Sequence, residues 1–281
     1  MTFRNIALAS SALVAIAALA TTASAGNYAG KMNIGMGYAM EDYDGSDDSD
    51  YTALTGSASV NVPYDEFINL QFDIAGASGL DNVASSSFDS YYGGFGAGLH
   101  LNYRDPNVGA LGVFGGVGRV NVGSDWSGDY MLMVAGFEGQ YYCNAWTLRA
   151  QAGYMDSDSY GYLIQEAGML RVGADYYASK TLKLSGEVGY LDGRASDTDD
   201  DVTTWDWAIS AEYVFGKSVP VSTYIEYRGQ RTEAWDNNID RDAISVGVRF
   251  YFGSDNDLQK ADREGPGFSL PDLTTLPRYY Y

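Results

Sequence analysis

The chain contains very little cysteine, histidine or basic charge, and each shortage excludes a class of protein. Of its 281 residues only Cys143 is a cysteine, so an internal disulfide framework is excluded. The 17 basic residues against 37 acidic ones give a net charge of -20, which excludes a basic nucleic-acid-binding surface. Beyond the N-terminal segment, no apolar run approaches the roughly 20 residues of a membrane-spanning helix. Any passage through a membrane must therefore use strands.

The N-terminal segment has the three parts of a secretory signal peptide. Arg4 charges its start, residues 6–20 are apolar, and Ala23-Ser24-Ala25 forms a small-residue cleavage site. The apolar part, about 15 residues long, is shorter than the roughly 20 that a membrane anchor needs. We expect residues 1–25 to be a cleaved signal peptide and the mature chain to begin near Gly26.

What the sequence does contain is a series of twelve runs in which apolar and polar residues alternate. In the last run, every second residue from Ile244 to Phe252 is apolar, and Ser245 and Arg249 lie between them. Alternation places successive side chains on opposite faces of a strand. An apolar outer face with a polar inner face, repeated over segments of about ten residues, is typical of a transmembrane β-barrel. We predict strands near residues 30–40, 51–61, 67–77, 90–101, 110–120, 130–141, 146–155, 164–176, 181–191, 204–215, 221–230 and 242–252.

The connections predict which end of the barrel faces outward. Those near 41–50, 78–89, 121–129, 156–163, 192–203 and 231–241 are mostly long, and the other five are mostly short. Bacterial barrels have long extracellular loops and short periplasmic turns. The long loops also hold nearly all of the excess acidic charge, so both features assign them to the extracellular end.

Aromatic residues gather at the predicted strand ends, where amphipathic rings favour the membrane interface. We expect an outer girdle that includes Tyr38, Tyr190 and Trp205, and an inner girdle that includes Tyr103 and Tyr141.

With this architecture the chain resembles bacterial outer-membrane β-barrel proteins of the porin and surface-antigen type. The resemblance covers roughly residues 26–253, and the segment Val246–Phe252 is similar to the aromatic-ended last strand that the insertion machinery recognises. It implies an all-β, antiparallel up-and-down barrel of about 12 strands, integral to the outer membrane of a Gram-negative bacterium. The implied partners are outer-membrane lipid, lipopolysaccharide and the barrel-insertion machinery. A homo-oligomer is also compatible with it.

The chain continues beyond the last predicted strand, which departs from the common pattern. Residues 254–281 lack strand alternation and contain Gly265-Pro266-Gly267, so we expect an irregular periplasmic tail. A disordered end is one interpretation, as for many termini. The alternative is a plug, or a contact with the cell wall or a partner, made through Phe268, Leu270, Leu273 and the terminal tyrosines.

The single histidine bears on catalysis. An outer-membrane phospholipase needs a histidine base beside its serine, and an omptin-type protease needs aspartate and histidine at the extracellular rim. His100 falls at the periplasmic end of the fourth predicted strand, on its inner face. We therefore expect a lumen-lining histidine and no enzymatic activity.

Charged residues of both signs fall on the predicted inner face. Tight turns would place Asp175 opposite Lys183, Arg171 opposite Glu187, and Glu138 opposite Arg149, so that the charges neutralise one another. They can stiffen the wall or line a pore, and the width of a 12-stranded barrel favours a narrow pore. The predicted pore-lining residues are Asp73, His100, Glu138, Arg149, Arg171, Asp175, Lys183, Glu187, Glu226, Arg228 and Arg249.

The long loops carry two dense acidic runs, at 41–50 and 197–201. Carboxylate clusters are ligands for Ca²⁺ or Mg²⁺, although the spacing does not match an EF-hand loop. Like-charge runs are more often simply solvated. Candidate positions for weak Ca²⁺ or Mg²⁺ binding are Asp44, Asp47, Asp48, Asp50, Asp199, Asp200 and Asp201. No other cofactor is predicted.

The sequence thus favours a narrow passive pore for small hydrophilic solutes or ions. Acidic loops at its mouth should concentrate cations and give a weak cation preference. The alternative is a non-conducting surface or structural protein that contacts lipopolysaccharide or a host through its loops.

Overall fold

A computed structural model of the chain describes residues 28–43, 49–79, 92–122, 129–158, 164–195, 200–215, 221–234, 237–253 and 256–271. Twelve antiparallel strands in sequential order form a closed barrel, in which β1 pairs with both β2 and β12. The strands are β1 (Ala29–Tyr43), β2 (Ser49–Pro63), β3 (Ile68–Gly79), β4 (Tyr92–Asp105), β5 (Gly109–Val122), β6 (Asp129–Cys143), β7 (Trp146–Ser157), β8 (Ile164–Ser179), β9 (Leu182–Ala195), β10 (Asp201–Val214), β11 (Val221–Ala234) and β12 (Asn237–Phe252). The predicted fold class and the twelve predicted strands are confirmed.

The outer surface of the barrel is apolar, as the alternation predicts. Ile34, Leu99, Phe137 and Ile209 belong to four different strands, and all four side chains are exposed on the outside. The girdle residues Tyr38, Tyr103, Tyr141 and Trp205 are exposed on the same surface. No helix in the described ranges is long and apolar enough to cross a membrane.

Most strands extend further than the alternation predicts, mainly at the end that carries the long loops. The last strand begins at Asn237, five residues before its predicted start, within a segment expected to be a loop. Spanning a bilayer takes about 9–11 strand residues, so these extensions project beyond the lipid. Their outward side chains are polar, as at Asp240 and Asp242, while the backbone pairing continues. Alternation therefore locates the membrane part of a strand better than its ends.

The predicted charge pair in the β6–β7 hairpin is wrong. Glu138 lies opposite Gln151 rather than Arg149, because the two-residue turn lets Cys143 pair with Trp146. The register is therefore displaced by two residues from the predicted one, which keeps every side chain on its predicted face.

In the β8–β9 hairpin a bulge next to the turn also displaces the register. Asp175 lies opposite Ser185 instead of Lys183. Arg171 lies opposite Gly189, two residues along β9 from Glu187, yet its guanidinium reaches that carboxylate diagonally at 2.6 Å.

The lumen has two different halves. Near the long-loop end, inward residues from seven strands pack into an apolar cluster: Phe114, Val120, Leu132, Val134, Met155, Ile164, Ala167, Met169, Leu191, Val202 and Ala234. The other half of the lumen, toward the short turns, is lined by amides and charged groups. The inner face is therefore not uniformly polar.

After the last strand the chain folds back into the barrel from the short-turn end. Gly253 makes the reversal with φ +72°, and a Cβ there would lie 1.9 Å from the backbone oxygen of Tyr28. A short helix, α1 (Leu258–Glu264), follows, capped by the side chain of Asp257. Residues 265–271 then run extended inside the lumen. We refer to residues 256–271 as the plug.

Candidate functional site

The extended part of the plug is held mainly through its backbone carbonyl groups. Five strands, β3, β4, β6, β7 and β8, each offer one inward side chain to it, because period-two alternation turns every second residue toward the lumen. The contacts to carbonyls are Arg104 with Gly265, Gln140 with Gly267 at 2.7 Å, Gln71 with Phe268 at 2.9 Å, Gln151 with Ser269 at 2.8 Å and Arg171 with Leu270 at 3.4 Å. Gln71 also accepts a hydrogen bond from the Phe268 backbone N–H at 3.3 Å.

Phe268 is almost fully enclosed, with 3% of its surface exposed. Its ring stacks on the imidazole of His100, with centroids 5.9 Å apart and planes 12° apart. The guanidinium of Arg104 lies over the same ring, 5.6 Å from its centroid. Two residues further on, Leu270 packs against the wall at Gly98 and Gly116, where the absence of side chains leaves room for it.

His100 lies on the inner face toward the short turns, where the sequence predicted it, and it is fully buried. Its Nδ1 is 2.9 Å from Glu138 and its Nε2 is 3.0 Å from Asp73. Both ring nitrogens are therefore engaged by carboxylates, and Phe268 covers the ring. This arrangement orients the imidazole as a platform for the plug.

The helix of the plug is held by a buried ion pair. The Lys183 ammonium is 2.8 Å from the Asp262 carboxylate and 3.2 Å from Glu212. Tyr177 donates a further hydrogen bond to Asp262 at 3.0 Å. Burial alone would raise the pKa of the Asp262 carboxyl, but Lys183 and Lys31 together hold that pKa below its ordinary value. Asp262 is thus ionised in the docked plug at neutral pH.

Arg263 ties the same helix to the β6–β7 turn. Its guanidinium donates to the backbone oxygens of Asn144 at 2.9 Å and Trp146 at 2.8 Å, and lies 4.8 Å from the ring centroid of Tyr142. Leu258 and Ala261 pack into a small apolar cluster with Tyr177, Val214 and Tyr251. The helix is therefore anchored at the barrel rim by both charge and apolar contact.

A polar cavity of about 350 Å³ remains beside the plug. At its centre Glu187 receives three guanidinium groups, from Arg171 at 2.6 Å, Arg228 at 3.2 Å and Arg149 at 3.5 Å. Arg249 pairs with Glu212 on the neighbouring wall. The cavity is thus lined by charges of both signs that are largely paired with each other.

All eleven predicted pore-lining residues lie in the described part of the chain and face the lumen. His100, Arg171 and Lys183 contact the plug directly, and Asp73 and Glu138 hold His100. Six others line the cavity beside the plug: Arg149, Asp175, Glu187, Glu226, Arg228 and Arg249. Asp73, Arg171 and Lys183 line that cavity as well, so the two neighbouring sites share part of the predicted set.

Sequence reasoning missed the neutral residues that hold the plug. Gln71, Gln140 and Gln151 occupy inward positions and are buried. Their alternation with outward apolar residues was visible, but an uncharged amide gives no sign of what it binds. Asp262 was missed for a different reason, because it lies on a tail that was expected to be irregular.

Of the candidate metal positions, Asp44, Asp47, Asp48 and Asp199 fall outside the described residues. Asp50 is exposed at the start of β2 and accepts a hydrogen bond from Tyr38 at 2.8 Å. Asp200 and Asp201 lie at the start of β10. Among the residues that the structure describes, no group of three or more metal-ligating side chains is arranged around one point. Binding of Ca²⁺ or Mg²⁺ by the loops stays a prediction.

Comparison with solved structures supports the architecture. An outer membrane channel from Pseudomonas putida F1 aligns over 80% of this chain and 95% of that one, with a TM-score of 0.55 and 11% identity. The translocator domain of the autotransporter NalP from Neisseria meningitidis aligns over 89% of this chain and 98% of that one (TM-score 0.48, 13% identity). A loop-deletion mutant of the Vibrio cholerae outer membrane protein OmpT covers 81% of this chain and 100% of its own length (TM-score 0.41, 14% identity). Neither a protein-family model nor a curated protein sequence matches this chain.

The chain has the fold of a bacterial outer-membrane β-barrel. Its closed ladder leaves no strand edge unpaired and its outer surface is apolar, as a lipid environment requires. The predicted location in the bacterial outer membrane is thereby confirmed. At such low sequence identity the likeness concerns the fold, so the role of this barrel has to be argued from its own lumen.

Proposed function

We propose that this protein is a narrow passive channel for small hydrophilic solutes or ions. The observation that carries the proposal is the charged cavity of about 350 Å³ that continues beside the plug. Each water molecule occupies about 30 Å³ in the liquid, so the cavity has room for roughly ten of them. That volume suits hydrated ions and small solutes and is too small for bulky substrates.

The charges of the cavity support weak intrinsic selectivity. Glu187 is surrounded by three arginines, while Asp175 pairs with Arg149 at 2.9 Å and Asp206 with Arg228 at 3.6 Å. Opposite charges so close together cancel at the distance of a passing ion. Any preference should then come from the mouth, where the acidic loops concentrate cations. We therefore propose a weak cation preference.

The environment of His100 favours a non-enzymatic role. A general base needs a free ring nitrogen within reach of a substrate proton, whereas both nitrogens of His100 face carboxylates and its ring is covered by Phe268.

The second candidate is a non-conducting surface or structural protein. It is favoured by the plug, which fills part of the lumen on the short-turn side, and by the apolar cluster toward the long-loop end. Two obstructions in series would leave little current even through a 12-stranded barrel.

Single-channel recording of the folded full-length protein in planar bilayers tests the proposal. We expect small, discrete conductance steps, and a reversal potential under a KCl gradient that indicates weak cation preference. Arg228→Ala, which removes a charge from the cavity, should change the conductance, whereas Lys260→Ala on the exposed face of α1 should not. Folded protein that gives no steps would support the structural role, and anion preference would refute the part assigned to the acidic loops.

A further inference from the structure

The plug is recognised in a manner that depends little on its own sequence. Five of the six residues from Gly265 to Leu270 offer a carbonyl to a wall side chain, and Pro266 is the exception. At Phe268 the amide of Gln71 bonds to both the N–H and the C=O, as a neighbouring strand would. Main-chain hydrogen bonds of this kind provide affinity for any extended peptide, and pockets for alternate side chains provide specificity.

Two side chains of the plug enter such pockets, and they are two residues apart. Phe268 lies against His100 and beneath Arg104, and Leu270 lies against Gly98 and Gly116. Ser269 between them is exposed. In an extended chain alternate side chains share one face, so the wall selects an aromatic residue followed two positions later by an aliphatic one.

The docked plug leaves some buried polar atoms of the barrel wall without hydrogen bonds. Arg104 is buried, but its Nε and Nη2 have no hydrogen-bond partner among the described residues. The same is true of the amide nitrogen and oxygen of the buried Asn102 side chain. Buried donors without partners oppose docking, because they could bond to water if the plug were absent. The plug is held largely by main-chain hydrogen bonds, which another extended peptide could also make.

We propose that the inner wall of β3–β8 is a binding site for an extended polypeptide with an aromatic-x-aliphatic pattern, and that the protein's own C-terminal segment occupies it in cis. The site adjoins the charged cavity to which we assign conduction and shares Arg171 with it. Its test measures peptide binding and not current, so a barrel that passes no current could still hold the peptide.

The test separates the plug from the barrel after folding. A protease site replacing residues 254–255 is cleaved in the folded full-length protein in detergent micelles, and co-elution of the released segment with the barrel is measured. A fluorescently labelled synthetic peptide of residues 256–271 is then added and its anisotropy followed. The heat-dependent gel mobility of the barrel reports whether the strands remain folded.

We expect the cleaved segment to co-elute with the barrel and to exchange with the labelled peptide at one site per barrel. The Phe268→Ala peptide should bind at least about tenfold more weakly, which corresponds to roughly 1.4 kcal/mol, while the Ser269→Ala peptide should bind as the unmodified one does. In the wall, Gln71→Met should weaken binding, whereas Thr204→Val, equally buried but bonded to Thr232 away from the plug, should not.

Three results would overturn the proposal. The first is loss of the segment on cleavage with no rebinding of added peptide. The second is equal binding of the Phe268→Ala and unmodified peptides. The third is unfolding of the barrel on cleavage, since the segment would then be a part of the fold and not a ligand.

Discussion

Removal of the Asp262 carboxylate tests how strongly the buried ion pair holds the plug. The Lys183 ammonium lies 2.8 Å from this carboxylate, and only 9% and 10% of the two side chains are exposed. At an effective dielectric constant of about 20 the attraction over that distance is roughly 6 kcal/mol, before the cost of removing both groups from water. Breaking a buried pair typically costs about 3–5 kcal/mol. Since Lys183 keeps Glu212 at 3.2 Å, it is not left unpaired, and we expect a smaller loss of about 2–3 kcal/mol for Asp262→Asn.

The loss of this ion pair should make the plug helix open locally more often. A loss of about 2–3 kcal/mol lowers the docking constant by roughly 30- to 150-fold. Amide hydrogen exchange of α1 in the folded full-length protein measures it, because protection there reports the free energy of local opening. The strands should keep their protection, since their hydrogen bonds are made within the barrel ladder.

Glu264→Gln is the matched control for this measurement. Its carboxylate is half exposed, and within the described part of the chain its ion-pair partner is Lys260, at i,i+4 and 3.9 Å, so the substitution should change protection very little. Combining Asp262→Asn with Lys183→Met should then give less than the sum of the two single effects, because both remove the same interaction. Unchanged α1 protection in Asp262→Asn would refute the assignment of the ion pair as the main anchor of the helix.

Three further predictions concern the same segment. Phe268→Ala should raise the mean single-channel conductance of the full-length protein, while Ser269→Ala should leave it unchanged; equal conductance in both would contradict a plug that obstructs flow. The pKa of Asp262 is lowered by docking, so its contribution to docking is present above its ordinary pKa of 3.8 and is lost as the pH falls through the docked value. The protection of α1, expressed relative to the intrinsic exchange rate at each pH, should therefore fall in acid. Gly116→Ala places a methyl group 3.2 Å from Leu270 and should weaken peptide binding severalfold. A peptide with Leu270→Val should recover part of the lost affinity in the same assay. If it recovers none, the added methyl group clashes with something other than Leu270.

The fold could be predicted because a membrane barrel repeats one local rule many times. Every strand that crosses lipid must show apolar residues at alternate positions, so the pattern around Val246 and Phe250 carries the same information as that around Leu182 and Leu184. The alternation stops where the strand leaves the lipid, because outward residues there no longer need to be apolar. Beyond the lipid the outward residues turn polar, as at Asp240, and the strand continues unseen by the pattern.

The lumen was predicted less well because its side chains do not all face the same environment. Some face water and charged groups, and others pack against apolar side chains. Inward charges such as Glu187 and Arg228 stood out against the apolar residues around them. Inward apolar residues such as Val120 and Leu132 did not, since they pack on each other inside the barrel and break the expected polarity of the inner face. Which groups meet across the lumen depends on register, and a bulge or a two-residue turn moves every pair.

The docking of the tail lay beyond sequence reasoning for a different reason. Gly265, Pro266 and Gly267 do indicate an extended, non-strand segment. Its partners Gln71 and Gln140, however, are more than 120 residues away along the chain. Nothing local in either stretch shows that one offers carbonyls and the other amides.

The two sites divide the lumen into sectors with different chemistry, and this division makes a plugged barrel compatible with a channel. The sector from β3 to β7 presents neutral amides, bare glycines, His100 and Arg104 to the plug, and these groups contact its carbonyls and its apolar side chains. The sector from β9 through β12 to β1 presents charged pairs such as Arg228 with Glu187 and Arg249 with Glu212. Charged groups stay hydrated more readily than amides that already bond to a peptide, so water and ions favour the second sector. A solute path along that sector would widen when the plug leaves, without any movement of the strands.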